Sequence, residues 1–396
     1  MKNTSAPKKL RPQFEQKNAV LYNAYKKPVT VNINEEVTID LDYQGWPTVC
    51  RGDGDTLYAA ASIRRGHVDP FGATVLYVSH DGGKSWSEPR IVNDTPADDR
   101  DTGIVYLGNG RLVISYFTIG TADFLEGGTY RPQMTWPGHA TAEQVAAKEA
   151  QWADLPEDDE AHTSWNGYLI FSEDYGQTWS EPIRVPGCDP HGPTLGMDGT
   201  LWQARVRYDD GGCFLYRSAD GGRTWETHKI IPLPLWCEGA YFSEPYILQL
   251  RDGRFIVGIR SADKNDGDNT LRTLISLSED GETFTEPYLV DGTVGSPPHL
   301  LELSSGAVLL TYSYRGGGEG PRGVRAKISY DRGESWSEEM ILSEAPEGTH
   351  PGEVGYPSSV ELDDGTLITV YYQPDEGDRY PSLLYTRWRL LASEEA

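Results

Sequence analysis

Ser79-His80-Asp81-Gly82-Gly83-Lys84-Ser85-Trp86 is written four more times along the chain, at Ser172 to Trp179, Ser218 to Trp225, Ser278 to Phe284 and Ser329 to Trp336. The shared pattern is Ser-x-Asp-x-Gly-x-Ser/Thr-Trp, with Phe284 closing a shortened copy. Each position has a task in a tight turn. Ser and Asp fold side-chain oxygens back onto backbone N–H groups, Gly accepts a positive φ, and Trp supplies a large apolar plate. The first copy follows the apolar run Thr74-Val75-Leu76-Tyr77-Val78, so the turn joins two strands.

A second repeat counts the units. A polar residue followed by Gly and then a strand occurs at Asp53-Gly54, Asn109-Gly110, Asp198-Gly199, Asp252-Gly253, Ser305-Gly306 and Asp364-Gly365. Successive glycines lie 53 to 59 residues apart, with one interval of 89. Each period holds this hairpin and, in five of six cases, the Trp turn. About four strands per unit is the content of a propeller blade, so the sequence predicts an all-β, six-bladed propeller of four-stranded blades.

Five Asp-box turns on six β-units resemble the sialidase (neuraminidase) superfamily of six-bladed propellers, from about Trp46 to the C-terminus. In that family the Asp box sits on the outer rim, away from the central funnel. The resemblance therefore implies a structural task for the five turns.

The composition narrows the partners. Of 396 residues, 35 are Lys or Arg and 60 Asp or Glu, a net charge of −25. A field of that sign repels nucleic acid and anionic membranes, so neither is expected as a partner, and an anionic substrate needs a local arginine cluster. Cys50, Cys188, Cys213 and Cys237 have no paired spacing and read as free thiols. No apolar core follows the charged N-terminus and no run approaches a membrane span, which leads to the expectation of a cytoplasmic protein. No dense ligand string argues for calcium, and no cofactor is expected. Nothing fixes the oligomeric state.

Along the chain, residues 1–27 read as a polar arm and 28–396 as one propeller. Val29–Ile33 and Val37–Leu41 alternate as strands do, and one of them is expected to close the ring by completing the last blade. The long interval places about 35 extra residues in blade two, within 119–165. Thr141 to Trp152 is Ala-rich, with Thr141 and Gln144 at capping-box spacing, and should form the one clear helix.

One regularity points to chemistry. A polar residue recurs just before the strand leading into each Gly hairpin: Asp101, His191, Glu244, His299 and Tyr356. First strands line a propeller's channel, so these positions converge on one ring. Arg260 and Arg315 sit at matching strand ends, and Arg64, with Arg65, His67 and Asp69, forms a polar cluster after a blade-one strand. Arg100 precedes Asp101 directly.

Sialidases use a Tyr nucleophile activated by a Glu, an Asp acid/base and three arginines on the substrate carboxylate. The resemblance carries the Glu to Glu244, followed sixteen residues later by Arg260 as second arginine. It carries the nucleophile to Tyr356 in Gly-Tyr-Pro-Ser-Ser, the third arginine to Arg322 with Arg315 as competitor, and a ring-contacting Asp to Asp101. Two parts are missing. The place of the first arginine reads Gly45-Trp46-Pro47, and the acid/base Asp has no clean match, Asp69 being the nearest loop carboxylate. The expectation is a sialidase-like exo-glycoside hydrolase acting on a terminal acidic or unusual sugar by a retaining Tyr/Glu route. Proton abstraction from a uronic acid by His191 or His299, a lyase, is the second enzymatic reading, and a non-catalytic glycan-binding propeller the third.

Overall fold

The computed structural model describes residues 10–134, 140–187, 189–207, 212–233, 240–263, 270–317 and 320–392. Six four-stranded antiparallel sheets follow one another around a ring. Blade one runs Tyr43–Arg51, Leu57–Arg64, Ala73–Ser79 and Arg90–Asn93. Blades two to five begin at Asp98, Thr194, Ala240 and Pro298, and blade six at Gly355. Every polar-Gly turn joins first and second strands, and every Asp box joins third and fourth. The two repeats therefore mark the same end of each blade, and the strand starts and second-strand ends share the opposite face.

The Asp-box chemistry is as the pattern demands. In the second copy Ser172 Oγ accepts from Gly176 N–H at 2.8 Å, and Asp174 accepts from Thr178 N–H at 2.9 Å and Thr178 Oγ1 at 2.6 Å. The Thr178 hydroxyl, then its amide and the Ser172 hydroxyl, hold Asp174 at about 2. Trp179 and Trp225 close their turns by donating Nε1–H to the Gly176 and Gly222 carbonyls at 3.1 and 2.9 Å. These four turn tryptophans are half-buried, not core.

Ring closure differs from expectation. The strand completing blade six is Leu10–Tyr22, paired antiparallel along Pro381–Ala392 from Leu10 opposite Ala392 to Tyr22 opposite Leu383. Val29–Asn32 and Thr38–Leu41 pair only with each other. Length decides: a 13-residue strand can cover a 12-residue partner, and four-residue strands cannot. The stretch expected to be an arm thus contains the closing strand. Blade six lacks an Asp box because its fourth strand arrives from the N-terminus, leaving no turn to build.

The insertion holds the predicted helix at Ala142–Ala153, with Thr141 and Gln144 forming a reciprocal capping box. Three single-turn helices, Thr121–Phe124, Arg131–Met134 and Glu160–His162, accompany it. Phe124, Met134, Val145 and Trp152 bury a small core of their own. Trp152 Nε1 donates to the Pro96 carbonyl at 2.9 Å and Gln144 Nε2 to the Thr38 carbonyl at 2.9 Å, so the insertion docks beside blade one. Among the described residues no helix is long and apolar enough to cross a membrane. Cys50 and Cys213 are free thiols, while Cys188 and Cys237 lie outside the described residues.

Candidate active site

First strands wall the channel, and a shared backbone device aims their side chains inward. Trp46, Asp101, His191, Glu244 and Tyr356 all have left-handed φ, between 47° and 71°. In blades one, two, four and six this residue sits at a break in register between first and second strands. Such a bulge re-aims one side chain without ending the ladder. Left-handed φ is uncommon outside glycine and worth about 1–3 kcal/mol of strain, so five recurrences in register single out this ring as the candidate site.

At its centre the Tyr356 hydroxyl donates to Glu244 Oε1 at 2.6 Å. Arg260 Nη1 donates to Glu244 Oε2 at 2.6 Å and to the Tyr356 oxygen at 3.2 Å. Burial alone would raise Glu244; the Arg260 charge and hydrogen bond and the Tyr356 hydroxyl hold it below the ordinary carboxylate range. Burial, and then the Glu244 charge, push the Tyr356 phenol well up against Arg260 and Arg315. The resting pair is therefore neutral phenol and carboxylate, with the proton on a path between them.

Arg315 lies with its guanidinium 5.1 Å from the Tyr356 ring centre, held by the Val354 carbonyl at 3.0 Å and the Tyr372 hydroxyl at 3.1 Å. Arg322 stands behind it, donating to the Arg315 and Thr349 carbonyls at 2.7 and 2.8 Å. Of the two competing arginines, Arg315 is the one against Tyr356. Arg100 stacks on Trp46 at 4.9 Å, donates to Asp98 at 3.3 Å and has Nε 3.8 Å from Asp101 Oδ1. Burial, opposed by Arg100 and reinforced by Glu244, pushes Asp101 up to about 7.

His191 and His299 form the floor. Their rings are 5.2 Å apart, with His191 6.2 Å from Tyr356 and Tyr246 stacked on His299 at 4.7 Å. His191 Nδ1 meets Thr48 Oγ1, and His299 Nε2 meets Ser358 Oγ, both at 3.2 Å. Burial pulls His191 down to about 4 and His299 well below its usual value. Below them a cavity of about 520 Å³ opens at the polar-Gly turns beside Arg51, Arg251 and Asp363.

Two residues singled out from sequence are not offered to the funnel. Asp69 is 2% exposed, with its carboxylate on the Arg65 guanidinium and the Arg65 amide. Arg64 is buried completely and donates to Asp98 Oδ1 at 2.6 Å and to the Asp99 carbonyl. Both were placed near the site by chain position alone; their ion-pair partners hold them in the wall. Conversely, sequence reasoning passed over Asp189, noted His67 only as a member of a loop cluster, and read Trp46 only as the place of a missing arginine. Trp46 carried a signal, since Trp46-Pro47, Glu244-Pro245 and Tyr356-Pro357 share a ring residue before proline. Asp189, pushed by burial to about 8, faces the Glu244 and Asp101 charges. Among the described residues no cluster of three or more His, Cys, Asp or Glu could hold a metal ion.

A six-bladed propeller with Asp-box turns on its rim is the architecture of a BNR-repeat protein. The profile of the BNR repeat-like domain matches residues 144–369, more than half of the chain, and that of the BNR/Asp-box repeat matches residues 77–88; the chain belongs to the BNR repeat-like family. A protein of unknown function from Dyadobacter fermentans superposes with a TM-score of 0.68 at 20% identity, over 96% of this chain and 99% of its own. The NanB sialidase from Streptococcus pneumoniae gives 0.63 at 15%, over 88% of this chain and 68% of its own. An alpha-L-arabinofuranosidase from Fusarium graminearum gives 0.56 at 12%, over 94% and 98%. At these identities the likeness is one of fold. No curated protein sequence matches the chain.

Proposed function

We propose that the protein is an exo-acting glycoside hydrolase that removes a terminal sugar bearing a carboxylate, through a covalent intermediate on Tyr356. The observation that carries this reading is the 2.6 Å contact between Tyr356 Oη and Glu244, with Arg260 donating to both. A neutral phenol is a poor nucleophile, but a carboxylate in contact takes its proton as the oxygen attacks; a carboxylate nucleophile would instead repel an anionic sugar. Arg260 and Arg315, at adjacent second-strand ends, supply guanidinium groups for the sugar carboxylate. Asp101, neutral over much of the acid range, donates a hydrogen bond to a ring hydroxyl. Trp46 replaces one guanidinium of a full carboxylate clamp with an apolar plate, which favours an acidic sugar other than ordinary sialic acid. The sialidase and the arabinofuranosidase among the structural relatives support glycosidase chemistry on this ring.

The test is a panel of aryl glycosides of acidic sugars alongside intact acidic glycans. Release of aglycone, with a fluorinated sugar labelling the peptide that contains Tyr356, is the expected result. Unsaturated, ultraviolet-absorbing products would mark a lyase, and binding without any product a glycan-binding propeller.

A further inference from the structure

A retaining glycosidase must give the leaving oxygen a proton and later take one from water. With Asp69 bound to Arg65, the group that faces the funnel from the blade-one loop is His67. His67 is an exposed residue of that loop, and its ring stands edge-on to Trp46 at 5.0 Å. Trp46 in turn lies 6.3 Å from the Tyr356 ring, so one indole touches both the nucleophile and the imidazole. The loop is fixed in place: Arg100 Nη1 donates to the His67 carbonyl at 2.9 Å, and the Arg65–Asp69 pair clamps the residues on either side.

The imidazole is also oriented. His67 Nδ1 is 3.2 Å from the hydroxyl of Tyr43, a side chain with no solvent exposure. Burial, and then the charge of the nearby Glu353 carboxylate, raise the Tyr43 phenol well above its usual value. An O–H turned toward that carboxylate leaves the phenol oxygen to accept from the imidazole. That makes Nδ1 the protonated nitrogen of neutral His67 and leaves Nε2 for the funnel. A ring nitrogen aimed by a chain ending in a half-buried carboxylate suits proton transfer.

We propose that His67 is the general acid/base of the site, with Tyr43 and Glu353 as positioning residues; the proposal rests on the glycosidase reading. In the first half-reaction the Tyr356 oxygen bonds to the anomeric carbon and its proton passes to Glu244. The glycosidic C–O bond breaks, and the leaving oxygen takes the Nε2 proton of the imidazolium. In the second, a water oxygen bonds to the anomeric carbon and gives a proton to Nε2. The Tyr356 oxygen departs and recovers its proton from Glu244, so both groups return to their starting states.

The surroundings couple this proton to the substrate. The protein around the ring, then Arg100, Arg315, Arg64 and His350, hold His67 well below its usual value. A sugar carboxylate among those guanidiniums opposes their effect and raises the protonated fraction when it is needed. A neutral sugar of the same shape gains no such help.

The experiment compares His67→Ala and wild type on two glycosides of one acidic sugar, a nitrophenyl glycoside and an alkyl glycoside. A nitrophenolate leaves without a proton, so kcat/KM of the variant, which reports formation of the glycosyl-enzyme, should stay within about tenfold of wild type there and fall about 10²- to 10⁴-fold on the alkyl glycoside, while kcat on the nitrophenyl glycoside falls because water attack has lost its base. Azide should restore turnover of the glycosyl-enzyme and release a glycosyl azide. His67→Gln, a milder change, should give the same split. Equal losses in kcat/KM on both substrates, or none, overturn the proposal alone; so does the leaving-group split appearing in Asp101→Asn instead. A wild type that turns over neither glycoside overturns the glycosidase reading and the proposal with it. Nitrogen-15 NMR of labelled histidine reads the tautomer without any activity: neutral His67 protonated at Nε2 contradicts the relay.

Discussion

Replacing Tyr356 with Phe separates chemistry from packing at this site. The ring is 3% exposed and keeps its neighbours, Trp46 at 6.3 Å, Tyr372 at 5.9 Å and Arg315 at 5.1 Å, because none of these contacts needs the oxygen. What is lost is the hydroxyl's bond to Glu244 and the Arg260 bond to its oxygen. Glu244 keeps its ion pair with Arg260 at 2.6 Å, so it is not left as an unpaired buried charge. One hydrogen bond to a charged group is worth about 1.5–3 kcal/mol, and side chains open to funnel water recover part of it, so destabilisation should stay below about 2 kcal/mol. Turnover is another matter. Loss of the attacking atom should lower kcat/KM by at least about three orders of magnitude, about 4 kcal/mol in the transition state. The assay is kcat/KM on the best aryl glycoside, with thermal unfolding as the control for folding. A variant within tenfold of wild type would refute Tyr356 as nucleophile.

Stability should also report the ring. Burial pushes Asp101 and Asp99 up to about 7, so between their ordinary 3.8 and that value the folded chain holds protons the unfolded chain has released, and stability falls as pH rises through the window. Asp174 and Asp220, held at about 2 first by the Thr178 and Thr224 hydroxyls, contribute fully above 3.8 and lose it as pH drops toward 2. His191, held at about 4, works in the opposite direction up to its ordinary 6.5, so the Asp101 contribution is read as a difference: the melting temperature of wild type minus that of Asp101→Asn should fall as pH rises from about 4 to 7, and a difference that stays flat or rises contradicts this. On the rim, Trp179→Ala should cost about 2–3 kcal/mol, less than for a fully buried Trp because the side chain is only half-buried, with kcat unchanged in a folded variant; loss of activity alone would move the Asp box into the site. Deleting residues 10–22 should expose the edge of Pro381–Ala392 and yield aggregated protein on size exclusion, and a well-behaved monomer would show that closure is dispensable.

What the sequence disclosed and what it hid divide along physical lines. Local devices were legible because their chemistry is contained in a few consecutive residues: the Asp boxes, the polar-Gly turns, and the Thr141–Gln144 cap. The ring positions Asp101, His191, Glu244, His299 and Tyr356 were legible because propeller symmetry turns a repeated offset into a shared location. Leu10–Tyr22 was not, since an outermost strand is wet on its open edge and carries Glu15, Gln16 and Lys17 where a core strand would alternate. Arg64 and Asp69 misled because pairing is decided in three dimensions: Asp98, from the next blade, takes Arg64, and Arg65 takes Asp69. Trp46 was read as a missing arginine when it is a member of the ring in its own right, with the same left-handed backbone as Asp101 and Tyr356.

That backbone ties fold to chemistry. Strain of about 1–3 kcal/mol at each of five first strands is a burden that an all-β ring has no structural reason to repeat, since an ordinary strand residue would complete the ladder without it. Where the bulge occurs with proline next, at Trp46, Glu244 and Tyr356, proline's fixed φ and missing N–H stiffen the kink at a place where the ladder is already broken. The side chains so aimed are those whose distances matter to within a few tenths of an ångström, Tyr356 on Glu244 above all. His299 reaches the ring without a left-handed φ, and its ring is stacked on Tyr246 as part of the floor. His191 has the left-handed φ and yet belongs to the floor, and Asn18, Asn109, Trp165, Tyr175 and Arg332 have positive φ elsewhere in the chain, so it is the shared register around the ring, and not strain as such, that fits the preorganised site we propose.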